Sequence, residues 1–165
     1  MKGKALDDLF HDTLKDIYYA ERQILKALPK MARGAQSDAL REAFQKHKEQ
    51  TEGHVERLQQ VFELIGKAPR GKTCPAIDGI IEEGEEIMSE YKDTPALDAG
   101  LIAAAQAVEH YEIARYGALR QWAKTLGMDE AAKLLDQTLQ EESQTDETLT
   151  SIAESEANNM AAEAV

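Results

Sequence analysis

The sequence predicts an all-α protein, a four-helix bundle built from two antiparallel hairpins joined by one long crossover. Three observations carry this. Gly and Pro are few (10 and 4 of 165 residues), while the strong helix formers Ala, Leu, Glu, Lys and Gln abound. Four segments repeat apolar residues in steps of three and four, the period of a helix with one buried face. The links between those segments run short, long, short, and short links make antiparallel neighbours.

The first helix spans about 4–33, with the stripe Leu6, Phe10, Thr13, Ile17, Glu21, Ile24, Leu28, Met31. Gly34 should end it, glycine being the usual residue just past a helix, and Pro29 should bend or weaken its last turns. Ser37 or Asp38 caps the second helix, about 38–65, with the stripe Leu40, Phe44, His47, Thr51, His54, Leu58, Val61, Ile65 and a stop at Gly66. The crossover, 67–93, opens with a basic, irregular stretch and then reads as a short helix over about 76–91. Thr94 and Pro95 read as cap and first residue of the third long helix, about 95–126. Its stripe is Asp98, Ile102, Ala105, Glu109, Glu112, Tyr116, Leu119, Ala123, Leu126. Gly127 ends it. Asp129 should cap the fourth, about 129–155, whose stripe is Ala131, Leu135, Thr138, Glu142, Thr145, Leu149, Ile152. The small, polar tail that follows is expected to fray. Two hairpins with one long crossover is the ferritin-like connectivity, and 1–165 reads as one such domain.

An internal echo supports the pairing of halves. A shift of 88 residues carries Glu21 onto Glu109 and His54 onto Glu142, along with most of the apolar stripe. Helix periodicity makes part of this coincidence inexpensive.

The formal charge is −12, from 19 Lys and Arg against 31 Asp and Glu. Such a field repels phosphate, which argues against nucleic acid and anionic lipid as partners and favours cations. No segment is apolar enough for a membrane span, and the N-terminus lacks the apolar run of a signal peptide. Cys74 is the single cysteine, so no intrachain disulfide forms and the cytoplasm is the expected compartment.

The residues that interrupt the stripes carry the chemistry. Glu21, His47, Thr51, His54, Glu109, Glu112, Glu142 and Thr145 all take inward positions near mid-helix. Burying several carboxylates together costs several kcal/mol each unless they are compensated. Two metal ions would compensate them, and carboxylate oxygen with imidazole nitrogen suits iron, with manganese or zinc as alternatives. The expected ligands are Glu21, His54, Glu109, Glu112 and Glu142. His47 reads equally as a ligand or a core histidine, Thr51 and Thr145 as hydrogen-bonding helpers, and Gln50 as a flanking group within reach. Tyr116 and Tyr18 could border the cluster, with core packing their leading role. The competing reading is a metal-free polar layer into which Arg57 and Arg115 fold.

The segments DLFHDTLKDIYYAERQILKALPKMA, FQKHKEQTEGHVERL, LIAAAQAVEHYEIARYG and LLDQTLQEESQTDETL closely resemble the bacterial stress-associated YciF and YciE group, rubrerythrin-like members of the ferritin-like superfamily. The resemblance covers nearly the whole chain. It implies a ferritin-like bundle, a homodimer and a dinuclear iron site. Such sites commonly take one Glu from each of two helices and a Glu-x-x-His pair from each of the other two. Here the pairs read Thr51-x-x-His54 and Glu142-x-x-Thr145, so Glu112 and His47 would have to restore four carboxylates and two imidazoles. The function expected is a non-haem di-iron oxidase, peroxidase or ferroxidase of stress defence, with a small oxidant or ferrous iron as substrate. The alternative is a structural or interaction dimer whose polar layer is redox-inert. A DNA-coating role is disfavoured by the charge.

Overall fold

A computed structural model describes residues 3–163, and among these every regular element is helical. The helices are α1 (Leu6–Gly34), α2 (Asp38–Leu64), α3 (Pro75–Glu90), α4 (Leu97–Thr125) and α5 (Asp129–Ile152). A π-turn (Ala153–Ala157) and α6 (Asn158–Glu163) extend α5. The long helices close into a ring in the order α1–α2–α5–α4, and α3 lies across the α1/α4 side. The short crossover helix and its basic, irregular approach thus form where the sequence placed them.

Phe10, Ile17, Phe44, Leu58, Ile102 and Leu119 of the apolar stripes are fully buried, and so are Leu14, Phe62 and Leu101 beside them. Burying each such side chain contributes roughly 1.5–3 kcal/mol. Close helix approach needs small residues as well. A Cβ on Gly100 of α4 would lie 2.7 Å from Ile87 Cγ2 of α3, so glycine is what lets α3 settle on the bundle.

The helix ends divide into those that follow local rules and those that do not. Ser37 caps α2 by accepting from Leu40 N at 3.1 Å, which settles the choice between Ser37 and Asp38. Gly66 and Gly127 take positive φ (68° and 73°). Each supports a paired carbonyl closure: Lys67 N donates to Phe62 O and Gly66 N to Glu63 O, and Met128 N donates to Ala123 O and Gly127 N to Lys124 O.

Four expectations need correction. Gly34 is the last residue of α1 rather than a left-handed stop; Ala35 leaves the helix in an extended conformation. Asp98 explains this, because its carboxylate accepts from Gln36 N and Ser37 N, both at 2.8 Å. A carboxylate from α4 therefore fixes the α1–α2 turn, which no local pattern could show. Thr94 and Pro95 lie in a turn before α4, with Thr94 Oγ1 donating to Tyr91 O, and the helix begins at Leu97. Asp129 is the first residue of α5 and makes no capping hydrogen bond from Ncap, a position held by Met128. The tail stays helical through Glu163 instead of fraying; the π-turn packs on α4 and buries Ala157. Residues 164 and 165 of that tail lie outside the described residues. Pro29 lies inside α1, which continues through it.

Asp98→Ala leaves two backbone N–H groups without their acceptor. It is expected to cost about 2–4 kcal/mol in a chemical denaturation series, with Asp98→Asn, which keeps one acceptor, falling between.

Candidate metal centre

The stripe positions carry their polar residues into one layer. Glu21 of α1, His47 and His54 of α2, Glu109 and Glu112 of α4, and Glu142 of α5 are each at most 4% exposed. Their ligand atoms converge in two groups. One is formed by Glu21, His54, Glu112 and Glu142, the other by His47, Glu109 and Glu142. Glu142 is common to both. The spacing of α-helical turns brings this about, since one inward position per helix at the same height is enough to meet at the axis.

His54 Nδ1 lies 2.8 Å from Glu142 Oε1 and 3.6 Å from Glu21 Oε1. His47 Nε2 lies 2.8 Å from Glu109 Oε1 and 3.9 Å from Glu142 Oε2. These contacts lack hydrogen-bond alignment, so both nitrogens remain unpartnered. Unpartnered with them are Glu21 Oε2, Glu109 Oε2, and both carboxylate oxygens of Glu112 and Glu142. Native interiors leave few polar atoms unsatisfied, and eight in one layer, held only by two short His–Glu ion pairs, make a cluster that a cation would complete.

The protonation equilibria follow from this crowding. Burial, then the neighbouring carboxylates Glu142 and Glu21, pushes Glu112 well above the usual carboxylate range. Burial also raises Glu109, to about 7, and burial with the charge of Glu109 raises Glu142. Burial alone would lower the His54 imidazole, but Glu142 and Glu21 outweigh it and push His54 up to about 11. Without metal, Glu109, Glu112 and Glu142 hold their protons more tightly than they would in water, so protons offset part of the crowding that a metal would otherwise relieve.

The two arginines do not neutralise the layer. Arg57 makes a two-pronged pair with Glu141, Nη1 to Oε2 and Nη2 to Oε1, both at 2.8 Å. Arg115 lies over the Tyr111 ring, 5.3 Å from its centroid. Arg57 thus reaches the layer only through Glu141 and Thr138, and Arg115 lies outside it.

Glu141 is the site residue that the stripes missed. It faces the flank of α5, one position from Glu142, and its Oε2 meets His54 Nε2 at 2.8 Å. Glu141 thereby holds the outer nitrogen of His54 while Nδ1 points into the cage, an orientation that metal-binding histidines commonly receive from a carboxylate. The signal was present in part, because Arg57 follows His54 by three residues on the same helix face.

The expected helpers divide. Tyr116, fully buried, donates from Oη to Glu21 Oε1 at 2.7 Å, and burial with the nearby Glu21 charge raises its pKa and keeps the phenol protonated. Thr145 Oγ1 donates to Glu141 O of its own helix at 3.1 Å and also lies 3.4 Å from His47 Nδ1 and 3.3 Å from Gln50 Oε1. Thr51 likewise donates to the carbonyl four residues back, His47 O, and meets no side chain of the layer. Tyr18 packs edge-on against Phe62 and accepts from Gln59.

Glu141→Ala is expected to weaken metal binding about 10- to 100-fold in calorimetric titration, with Glu141→Gln intermediate because it still reaches His54 Nε2.

These features define a helical-bundle protein with a buried carboxylate–histidine cluster that could hold a metal ion. The chain belongs to the family described as Domain of unknown function (DUF892), which matches residues 5–162. It is 45% identical over 163 residues to protein YciF of Escherichia coli, covering 98% of each chain. The solved structure of the E. coli stress protein YciF superposes with a TM-score of 0.88 at 43% identity, over 96% of this chain and 98% of that one. YcfI from Rhodopseudomonas palustris, named as a candidate structural protein, gives 0.87 at 48% identity, over 89% and 94%. A Xanthomonas campestris protein shares the fold at 21% identity, with a TM-score of 0.73 over 94% and 96%. No helix among the described residues is long and apolar enough to cross a membrane.

Proposed function

We propose that this chain is a ferritin-like dimetal protein of stress defence that reacts with dioxygen or hydrogen peroxide, or oxidises ferrous iron. One observation carries the reading: the eight buried, unpartnered ligand atoms of two groups that share Glu142. Glu21, His54 and Glu112 would hold one ion, His47 and Glu109 the second, and Glu142 would serve both. That set contains four carboxylates and two imidazoles, the total found in ferritin-like dimetal sites. Iron fits this donor set first, with manganese or zinc as alternatives.

Two ferrous ions would supply two electrons, reducing dioxygen to hydrogen peroxide, or hydrogen peroxide to two waters, with two protons taken up in either case. The chain's own part is to hold the ligands ready. Glu141 and Arg57 orient His54, Tyr116 donates to Glu21, and the apolar stripes above and below the layer exclude bulk water. The chain is proposed to work as a homodimer in the cytoplasm, in keeping with its lone cysteine and acidic charge.

The likeness to YcfI favours a second reading, in which the layer holds one inert ion and the protein serves as a structural module. Protein purified from iron-supplemented cells separates the two. The dimetal reading expects close to two metals per chain by mass spectrometry and the absorption of an oxo-bridged diferric pair. One metal per chain or fewer, without that absorption, would leave the structural reading standing. A sizing column with light scattering tests the dimer.

A further inference from the structure

We propose that the crossover helix α3 roofs a binding site for a small apolar diatomic molecule, dioxygen, which reaches the His47–Glu109 half of the cluster through it. The inference rests on the dimetal reading above and narrows its choice of oxidant. Between α1, α2, α3 and α4 lies a cavity of about 40 Å³. Its lining includes Ile24, Phe44, Ile81 and Val108, together with His47, Glu109 and Thr145 of the polar layer. Lys30 and Glu85 also line it, and their exposed ion pair at 3.3 Å ties α1 to α3.

Small residues create the space. Ala27, Ala43, Gly84, Ala104 and Ala105 surround the cavity where larger side chains would fill it. The Gly84 position shows the margin, because a Cβ there would still lie 3.6 Å from Ala104 Cβ.

Size and polarity select the guest. Apolar cavities stay dry and accept xenon or small hydrocarbons, but one that binds benzene measures roughly 150 Å³. A cavity near a quarter of that takes a diatomic and excludes an aromatic or acyl substrate. Peroxide and hydrated metal ions would lose their hydrogen bonds on entering it. They have a polar alternative in a cleft between α2 and α5 lined by Lys46, Gln50, Gln144 and Thr145.

Xenon binding to the metal-free protein, read by ¹²⁹Xe NMR and in pressurised crystals, tests the cavity without reference to metal. A saturable site between α1, α3 and α4 is expected, diminished in Gly84→Ala and lost in Ala105→Leu. Absence of xenon from that position in the wild type overturns the proposal. With ferrous iron loaded, stopped-flow oxidation by dioxygen is expected to slow about tenfold in Ala105→Leu and measurably in Gly84→Ala, which adds one methyl group and keeps the helix. Peroxide-driven oxidation and metal content are expected to stay unchanged in both. Equal rates with dioxygen in all three proteins, or equal slowing with peroxide, overturns the route. Xenon binding in a protein that takes up no metal would instead sink the dimetal reading and the oxidant role built on it, while leaving the apolar site.

Discussion

Glu142→Ala is expected to empty both halves of the cluster at once, whereas Glu21→Ala and His47→Ala each leave one half competent. The reason is geometric. Glu142 is the residue common to both converging groups, with Oε1 2.8 Å from His54 Nδ1 and Oε2 3.9 Å from His47 Nε2. Metal per chain should fall from near two to near zero in Glu142→Ala and to near one in the other two variants. Stability should respond with opposite signs in the two states. Glu112 is fully buried and neither of its oxygens has a partner, so without metal its carboxyl only adds desolvation cost. Glu112→Leu is then expected to raise the stability of the metal-free protein by about 1–4 kcal/mol, as replacement of buried ionic groups often does. With metal the same change removes a ligand, and the stabilisation by binding, about 2.7 kcal/mol at a hundredfold excess over Kd, declines with it. Glu109→Ala should likewise lower both metal content and melting temperature of the loaded protein. If Glu112→Leu moved the two melting temperatures in the same direction, or Glu142→Ala kept one metal, the shared-ligand assignment would be wrong.

The bundle was legible because its information is periodic. Phe10, Ile17, Ile24, Phe44, Leu58, Ile102 and Leu119 follow the helical repeat and are buried. The same repeat placed Glu21, His54, Glu109 and Glu142 inward at one height. The features that escaped are held by contacts distant in sequence. Asp98 turns the α1–α2 loop from 61 and 62 residues away. Glu141 approaches His54 from the flank of α5, off the stripe by which inward residues are recognised. The helical tail depends on a π-turn that rotates Ala157 onto α4, and local composition contains nothing that marks such a turn. Thr51 shows the converse error. It sits on the stripe and is buried, yet its hydroxyl is bound to His47 O, because a threonine within a helix readily bonds to the carbonyl four residues back. Position on a face tells which side chains reach the core, and only the partner tells what each does there.

The metal-free protein should become more stable as pH falls from 8 to 5.5, opposite to the acid lability usual for carboxylate-rich proteins. Burial raises Glu109 to about 7 and raises Glu112 and Glu142. His54, lowered by burial but raised more strongly by Glu142 and Glu21, reaches about 11. Each of these groups binds its proton more tightly folded than unfolded. Stability therefore increases wherever the folded state holds the extra proton, which for Glu109 is the window from about 7 down to 4.5 and for His54 from about 11 down to 6.5. The gain for Glu109 alone is on the order of a few kcal/mol. The exposed carboxylates work against this only at lower pH. Asp12, held at about 2 by Lys15 and Lys4, has its contribution between its ordinary value of 3.8 and about 2. In metal the slope should reverse, because protons displace the ions from the same oxygens and from the imidazoles. Melting curves taken with a chelator and with excess ferrous or manganous ion under nitrogen, at half-unit pH steps, read both slopes. A metal-free protein whose melting temperature fell steadily from pH 8 to 5.5 would show that these carboxylates are not crowded together in the dry centre of the bundle.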